Sequence, residues 1–96
     1  MHTIQLSGSV GSESFSIRQV TDIPDGPIKI IIDSPGGCFI SGLAIFHSLR
    51  EHPSLIEVEI IRAGSAAALV ALAGQKRLIH GDGYFFVHTG SSSGYA

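Results

Sequence analysis

The stretch Glu57-Val58-Glu59-Ile60-Ile61-Arg62-Ala63-Gly64-Ser65, followed by the small apolar run Ala66-Ala67-Ala68-Leu69-Val70-Ala71-Leu72-Ala73, decides the fold. Residues 57–62 are rich in β-branched side chains and predict a strand. Residues 65–73 predict a helix, with Gly74 at its C-terminal end. Ser65 therefore stands at a strand-to-helix elbow. The first amides of a helix have no intrahelical acceptor, and the helix dipole favours developing negative charge there. A serine so placed can act as a nucleophile. His88, 23 residues further on, can return on a later strand as its base.

The same pattern occurs upstream. Residues 28–32 form a β-branched run interrupted only by Lys29, the signature of a strand buried on both faces. Ser34-Pro35-Gly36-Gly37 breaks the chain sharply, and residues 39–51 carry apolar side chains at helical spacing until His52-Pro53 ends them. Residues 3–6 predict a short strand, residues 12–20 a helix begun by Ser12, and Pro24-Asp25-Gly26-Pro27 a turn. Residues 77–79 and 84–87 predict two more short strands around Gly81-Asp82-Gly83, which carries a hairpin signal. Strand alternating with helix predicts an α/β fold with a mainly parallel sheet and right-handed crossovers. Two strand–turn–helix units about 30 residues apart are compatible with a spiral of repeated units.

Composition narrows the function classes. Ninety-six residues, 44% of them hydrophobic and 15% charged, make one small globular domain, expected over residues 1–90 with a tail over 91–96. A net charge of −2 gives no electrostatic reason to expect nucleic acid or an anionic membrane as partner. The single cysteine, Cys38, excludes an internal disulfide and fits a reducing compartment. No signal peptide is visible, and the longest apolar run is far shorter than the roughly 20 residues that cross a bilayer. The expectation is a cytoplasmic protein.

The candidate chemistry centres on Ser65, His88 and the glycine-rich break 33–37. Glycines between a strand and a helix let the backbone approach a ligand and aim amides outward, although a tight turn needing positive φ gives the same composition. The lysine and glycine spacing of a phosphate loop are missing. A serine at a helix start can be only a cap, and a histidine ending an aromatic strand can be structural. Their placement on consecutive units of one sheet makes the pair informative.

The remaining polar residues have other expected roles. Cys38 is expected to be a small buried thiol, and His80 a solvated side chain beside a turn. His47 and His52 are five apart, not the four that set two metal ligands on one helical face, so no metal is expected. Lys76 and Arg77 are expected at the C-terminal end of the Ser65 helix, where a Ser-Lys dyad with Lys76 is poorly placed. Asp33 is expected to cap the turn or helix on the Gly37 side, and Asp82 to sit in the hairpin.

Five segments in order resemble the Clp-type serine peptidases: Ile32-Asp33-Ser34-Pro35-Gly36-Gly37, Ser41-Gly42-Leu43-Ala44-Ile45-Phe46, Ala63-Gly64-Ser65-Ala66-Ala67, Ala71-Leu72-Ala73-Gly74 and Phe86-Val87-His88. The likeness runs from Ile4 to His88, and the spacing is most similar to the shorter phage-associated, capsid-maturation branch. What it implies is the spiral of β-β-α units shared with crotonases, here truncated, and a serine endopeptidase site. Carried over by position, Ser65 is the nucleophile and His88 the general base. The backbone amides of Gly37 and Ala66 form the oxyanion hole, and the chain after Gly37 offers a strand-like edge for a peptide substrate.

The family's orienting Asp lies well beyond the histidine, whereas this sequence has eight residues after His88. The expected site is therefore a Ser-His pair without its acid, with activity reduced to match. Asp33 and Asp82 are the carboxylates that could substitute. The resemblance implies a peptide or unfolded polypeptide as substrate and a homo-oligomer as assembly; without an axial N-terminal segment, an unfoldase partner is not expected. No cofactor is implied. Two alternatives stay open: a degenerate, non-catalytic subunit acting through oligomerisation, and a crotonase-type acyl-CoA enzyme. The pairing of Ser65 with His88 argues against the second.

Overall fold

The computed structural model describes residues 1–86, which form one four-stranded sheet with two helices. The strands are β1 (His2–Ser7), β2 (Ile28–Ser34), β3 (Ile56–Gly64) and β4 (Lys76–Phe86); the helices are α1 (Phe39–Arg50) and α2 (Ala66–Ala71). All three strand pairings are parallel and the order across the sheet is β1-β2-β3-β4. Each crossover thus advances one strand in the same direction. Crossovers of one hand then place both helices on one face, where α1 meets α2 and α2 lies on β3. This is the expected parallel α/β architecture.

Alternation along the strands builds the core. Ile28, Ile30 and Ile32 of β2 and Ile56, Val58 and Ile60 of β3 point towards the helices and are fully buried. Leu6, Phe15, Val20, Ile45, Leu49, Val70 and the alanines of α2 complete that layer. The opposite sheet face differs from the two-sided burial expected for residues 28–32. Lys29, Ile31 and Asp33 are only half-buried, because Lys29 reaches Glu59 of β3 at 2.7 Å and so keeps that face polar.

Two other expectations need correction. The helix expected from Ser12 is a serine-rich loop ending in a single 3-10 turn, Ile17–Val20. There the side-chain oxygen of Gln19 accepts the Ser16 amide at 2.8 Å. The loop ties its hydroxyls to its own backbone, Ser12 to the Ser9 carbonyl and Ser14 to the Ser7 carbonyl, each at 2.6 Å. Such local bonds compete with helix formation.

The expected hairpin at Gly81-Asp82-Gly83 is instead a bulge within the continuous strand β4. Ile60 pairs with Ile79 and Arg62 with Tyr84, so residues 80–83 face Ile61 alone. A Cβ on Gly83 would collide with the Ile61 carbonyl oxygen, so only glycine passes there.

Candidate active site

The elbow at Ser65 carries a backbone conformation that side chains rarely adopt. Its φ of 53° and ψ of −117° make it the only non-glycine residue with positive φ among those described. Such strain costs of order 1–3 kcal/mol and persists only where surrounding structure over-determines it. Here the Ser65 amide donates to the Phe86 carbonyl at 3.0 Å and the Ser65 carbonyl accepts the Leu69 amide at 3.2 Å. Ala63, Gly64, Ala66 and Ala67 on either side are buried. The Ser65 side chain makes no capping hydrogen bond to its helix, and the residue is half-buried. A serine present only as a cap would adopt extended backbone and accept an amide through its hydroxyl.

The glycine-rich break lies directly against this elbow. A Cβ on Gly64 would stand 2.7 Å from the Pro35 carbonyl oxygen, and one on Gly36 would stand 3.1 Å from the Cβ of Ser65. The two turns are thus in backbone contact. Ser34, fully buried, holds the break in shape: its hydroxyl accepts the Gly36 amide at 3.1 Å and lies 3.3 Å from the Gly36 carbonyl oxygen.

Gly37, at φ 149°, is clamped from the first loop by Val10 in a parallel bridge. Val10 donates to Gly36 at 2.9 Å and accepts from Cys38 at 3.0 Å. Among the described residues the Gly37 amide has no acceptor, and neither does the Ala66 amide at the first position of α2. Two unpaired amides therefore belong to turns that touch each other.

His88, the expected base, lies outside the described residues. The strand-like edge expected after Gly37 is short, because extended backbone continues only through Cys38 before α1 begins at Phe39, and Val10 already occupies one side. Cys38 is exposed rather than buried, and a hydrogen bond from the Ser41 side chain draws its thiol below its ordinary value.

Asp33 does not cap the turn. Its carboxylate accepts from Arg62 at 2.5 Å across the sheet. Asp82 lies exposed on the β4 bulge. His80 is not merely solvated, since it meets Glu59 at 2.5 Å. Glu59 is held below the usual carboxylate range, first by its hydrogen bond with Lys29 and then by that with His80. Arg77 does bond the end of α2, through the carbonyls of Leu72 and Gly74. His52 bonds the Gly26 carbonyl at 2.9 Å. No group of three metal-ligating side chains converges among the described residues.

Sequence reasoning missed Ser34, Val10 and Arg62. Ser34 followed by Pro-Gly was a usable signal for a hydroxyl-locked turn. Val10 and Arg62 act across long separations that no local pattern encodes.

A parallel sheet that ends in a strained serine elbow, with unpaired amides beside it, is the framework used by hydrolases of the strand–nucleophile–helix kind. The Clp protease family model matches residues 16–93, and the chain belongs to that family. Membership points to a peptidase. No curated protein matches the chain. No helix among the described residues is long and apolar enough to cross a membrane.

Proposed function

We propose that this chain is a serine endopeptidase of the Clp family, close to its shorter phage-associated branch. Ser65 is the nucleophile, His88 the general base, and the amides of Gly37 and Ala66 the oxyanion donors. The observation that carries the reading is the strained, uncapped Ser65. A serine held at φ 53° is retained against an energetic cost that glycine would avoid.

The chemistry follows from these positions. The Ser65 hydroxyl attacks the scissile carbonyl carbon while His88 takes its proton. The carbonyl oxygen becomes an oxyanion, with the two unpaired amides as its donors. Its collapse expels the amine, which takes the proton from His88, and water then releases the acyl group by the same steps. Asp33 is engaged by Arg62 and Asp82 stands on an exposed bulge, so neither supports the role of orienting acid.

A fluorophosphonate probe tests the reading. Wild type should label, Ser65→Ala should not, and labelling should rise as pH passes about 6.5, where an unperturbed imidazole loses its proton. His88→Ala should remove most of that dependence. A folded wild type that fails to label would favour a non-catalytic subunit.

A further inference from the structure

The two arms of the site share one anchor at their bases. Asp33 immediately precedes Ser34 and the glycine break, and Arg62 lies three residues before Ser65. Arg62 Nε donates to Asp33 Oδ1 at 2.5 Å, and the two are direct partners in the β2–β3 ladder.

That pairing sits at a decision point. From Ile28–Ile56 to Ile32–Ile60 the strands run in even register; then Ile61 is skipped and Asp33–Arg62 is the first pair to resume. Arg62 is also the first residue to resume pairing with β4, opposite Tyr84, after the bulge at residues 80–83. A slip of one residue at either irregularity would exchange the buried and exposed sides of every residue beyond it. Ser34 and Ala63, both fully buried, come next along the two strands, and after them the two turns of the site. The Asp33 carbonyl also accepts the Gly8 amide at 3.1 Å, which fixes the start of the loop that brings Val10 onto Gly37.

Global stability does not account for the pair. Arg62 and Asp33 are 53% and 28% exposed, and ion pairs so open to water contribute little to folding. We propose that Asp33 and Arg62 are a positioning pair. They set the register after both bulges and so hold the Gly37 amide and the Ser65 hydroxyl in one frame. This rests on Ser65 being the nucleophile, and neither residue touches the reacting atoms.

The test uses the full chain as wild type, Arg62→Ala, Asp33→Ala, Arg62→Lys and the double exchange Asp33→Arg with Arg62→Asp. Two quantities are followed: the fluorophosphonate labelling rate, and hydrogen exchange at the Ser65 and Gly8 amides against the Ile30 and Val58 amides. Both alanine variants should label about 10²-fold more slowly, the cost of a misplacement on the order of 1 Å. Their Ser65 and Gly8 amides should exchange about tenfold faster while Ile30 and Val58 hold, and their thermal midpoints should stay within about 5 °C of wild type. The double exchange should recover at least a tenth of the wild-type rate, and Arg62→Lys should fall between, because an ammonium lacks the planar fork.

Alanine variants that label within about threefold of wild type would overturn the proposal, as would a double exchange no better than either single change. If wild type itself fails to label, the peptidase reading is lost and exchange alone decides the positioning pair. Unchanged Ser65 and Gly8 exchange in Arg62→Lys and Asp33→Ala would then dismiss it.

Discussion

The two strand-to-helix junctions of this chain solve one geometric problem in opposite ways. From β2 to α1 the chain turns on Gly36 and Gly37, at φ 128° and 149°, where the missing side chain removes the strain. From β3 to α2 it turns on a single residue at φ 53°, and that residue is serine. The first junction is shaped to let backbone through: a Cβ on Gly37 would lie 2.5 Å from the Val10 nitrogen. The second is shaped to present a side chain, with the Ser65 amide fixed by Phe86 and its hydroxyl left off its own helix. Where glycine would be easier, a polar side chain kept at a strained turn points to use rather than packing.

The largest expected effect breaks the first junction. Gly37→Ala would drive a methyl group into the Val10 backbone, which no flexible side chain can absorb. The expected loss is about 3 kcal/mol or more, equivalent to a fall in thermal midpoint of roughly 12 °C or more for a domain of this size. Calorimetry or thermal circular dichroism checks it. A midpoint within a few degrees of wild type would mean that Val10 does not clamp Gly37.

The second junction should respond with the opposite sign. Ser65→Gly removes both the hydroxyl and the strain, whereas Ser65→Ala removes the hydroxyl alone. Glycine should therefore be more stable than alanine at this position by about 1 kcal/mol, roughly 4–8 °C, with neither variant labelled by the probe. If residue 65 had ordinary right-handed helical backbone the ranking would reverse, because glycine there costs more chain entropy than alanine. Chemical denaturation of the two variants side by side decides between these outcomes.

The smallest effect sits away from both junctions, on the polar face of the sheet. Hydrogen bonds from Lys29 and His80 hold Glu59 below the usual carboxylate range, and the same contact raises Lys29 above its ordinary value. A depressed carboxylate stabilises the fold above its unfolded value, near 4.3, and the contribution fades as pH falls through the lower folded value. The raised lysine acts at the other end. Its contribution is complete below the unfolded value near 10.4 and is lost as pH rises through the folded one. Glu59→Gln should lower the thermal midpoint slightly at pH 7, by a deficit that shrinks as pH falls through the folded value, with labelling of Ser65 at pH 7 unchanged. A deficit that stays constant into acid would assign the effect to packing instead of charge.

Much of this architecture was legible in the chain itself. The β-branched runs announced β2 and β3, the apolar spacing announced α1, and Ser65 between strand and helix announced the elbow. These signals are local, since β-branching and periodicity act over a few residues. The failures share a different cause. Gly81-Asp82-Gly83 has hairpin composition, but it lies opposite Ile61 in a parallel ladder and becomes a bulge. Asp33 has turn-capping chemistry, but Arg62, 29 residues away in sequence, claims its carboxylate. Cys38 is small and apolar enough to bury, yet its neighbour Gly37 is held by Val10 and leaves it at the surface.

The sequence by itself determined β2, β3, α1 and α2, their parallel alternation, and that a hydroxyl would stand at the second junction. Those follow from side-chain shape and from the two backbone periods. Only the tertiary structure decided that the glycine turn touches the serine turn, that Val10 closes over Gly37, and that Asp33 and Arg62 meet where both bulges end. Each is a contact between residues roughly 20–30 positions apart in the chain. The balance of burial, backbone pairing and register that selects such contacts is struck by the whole sheet at once, and no short stretch of residues carries it.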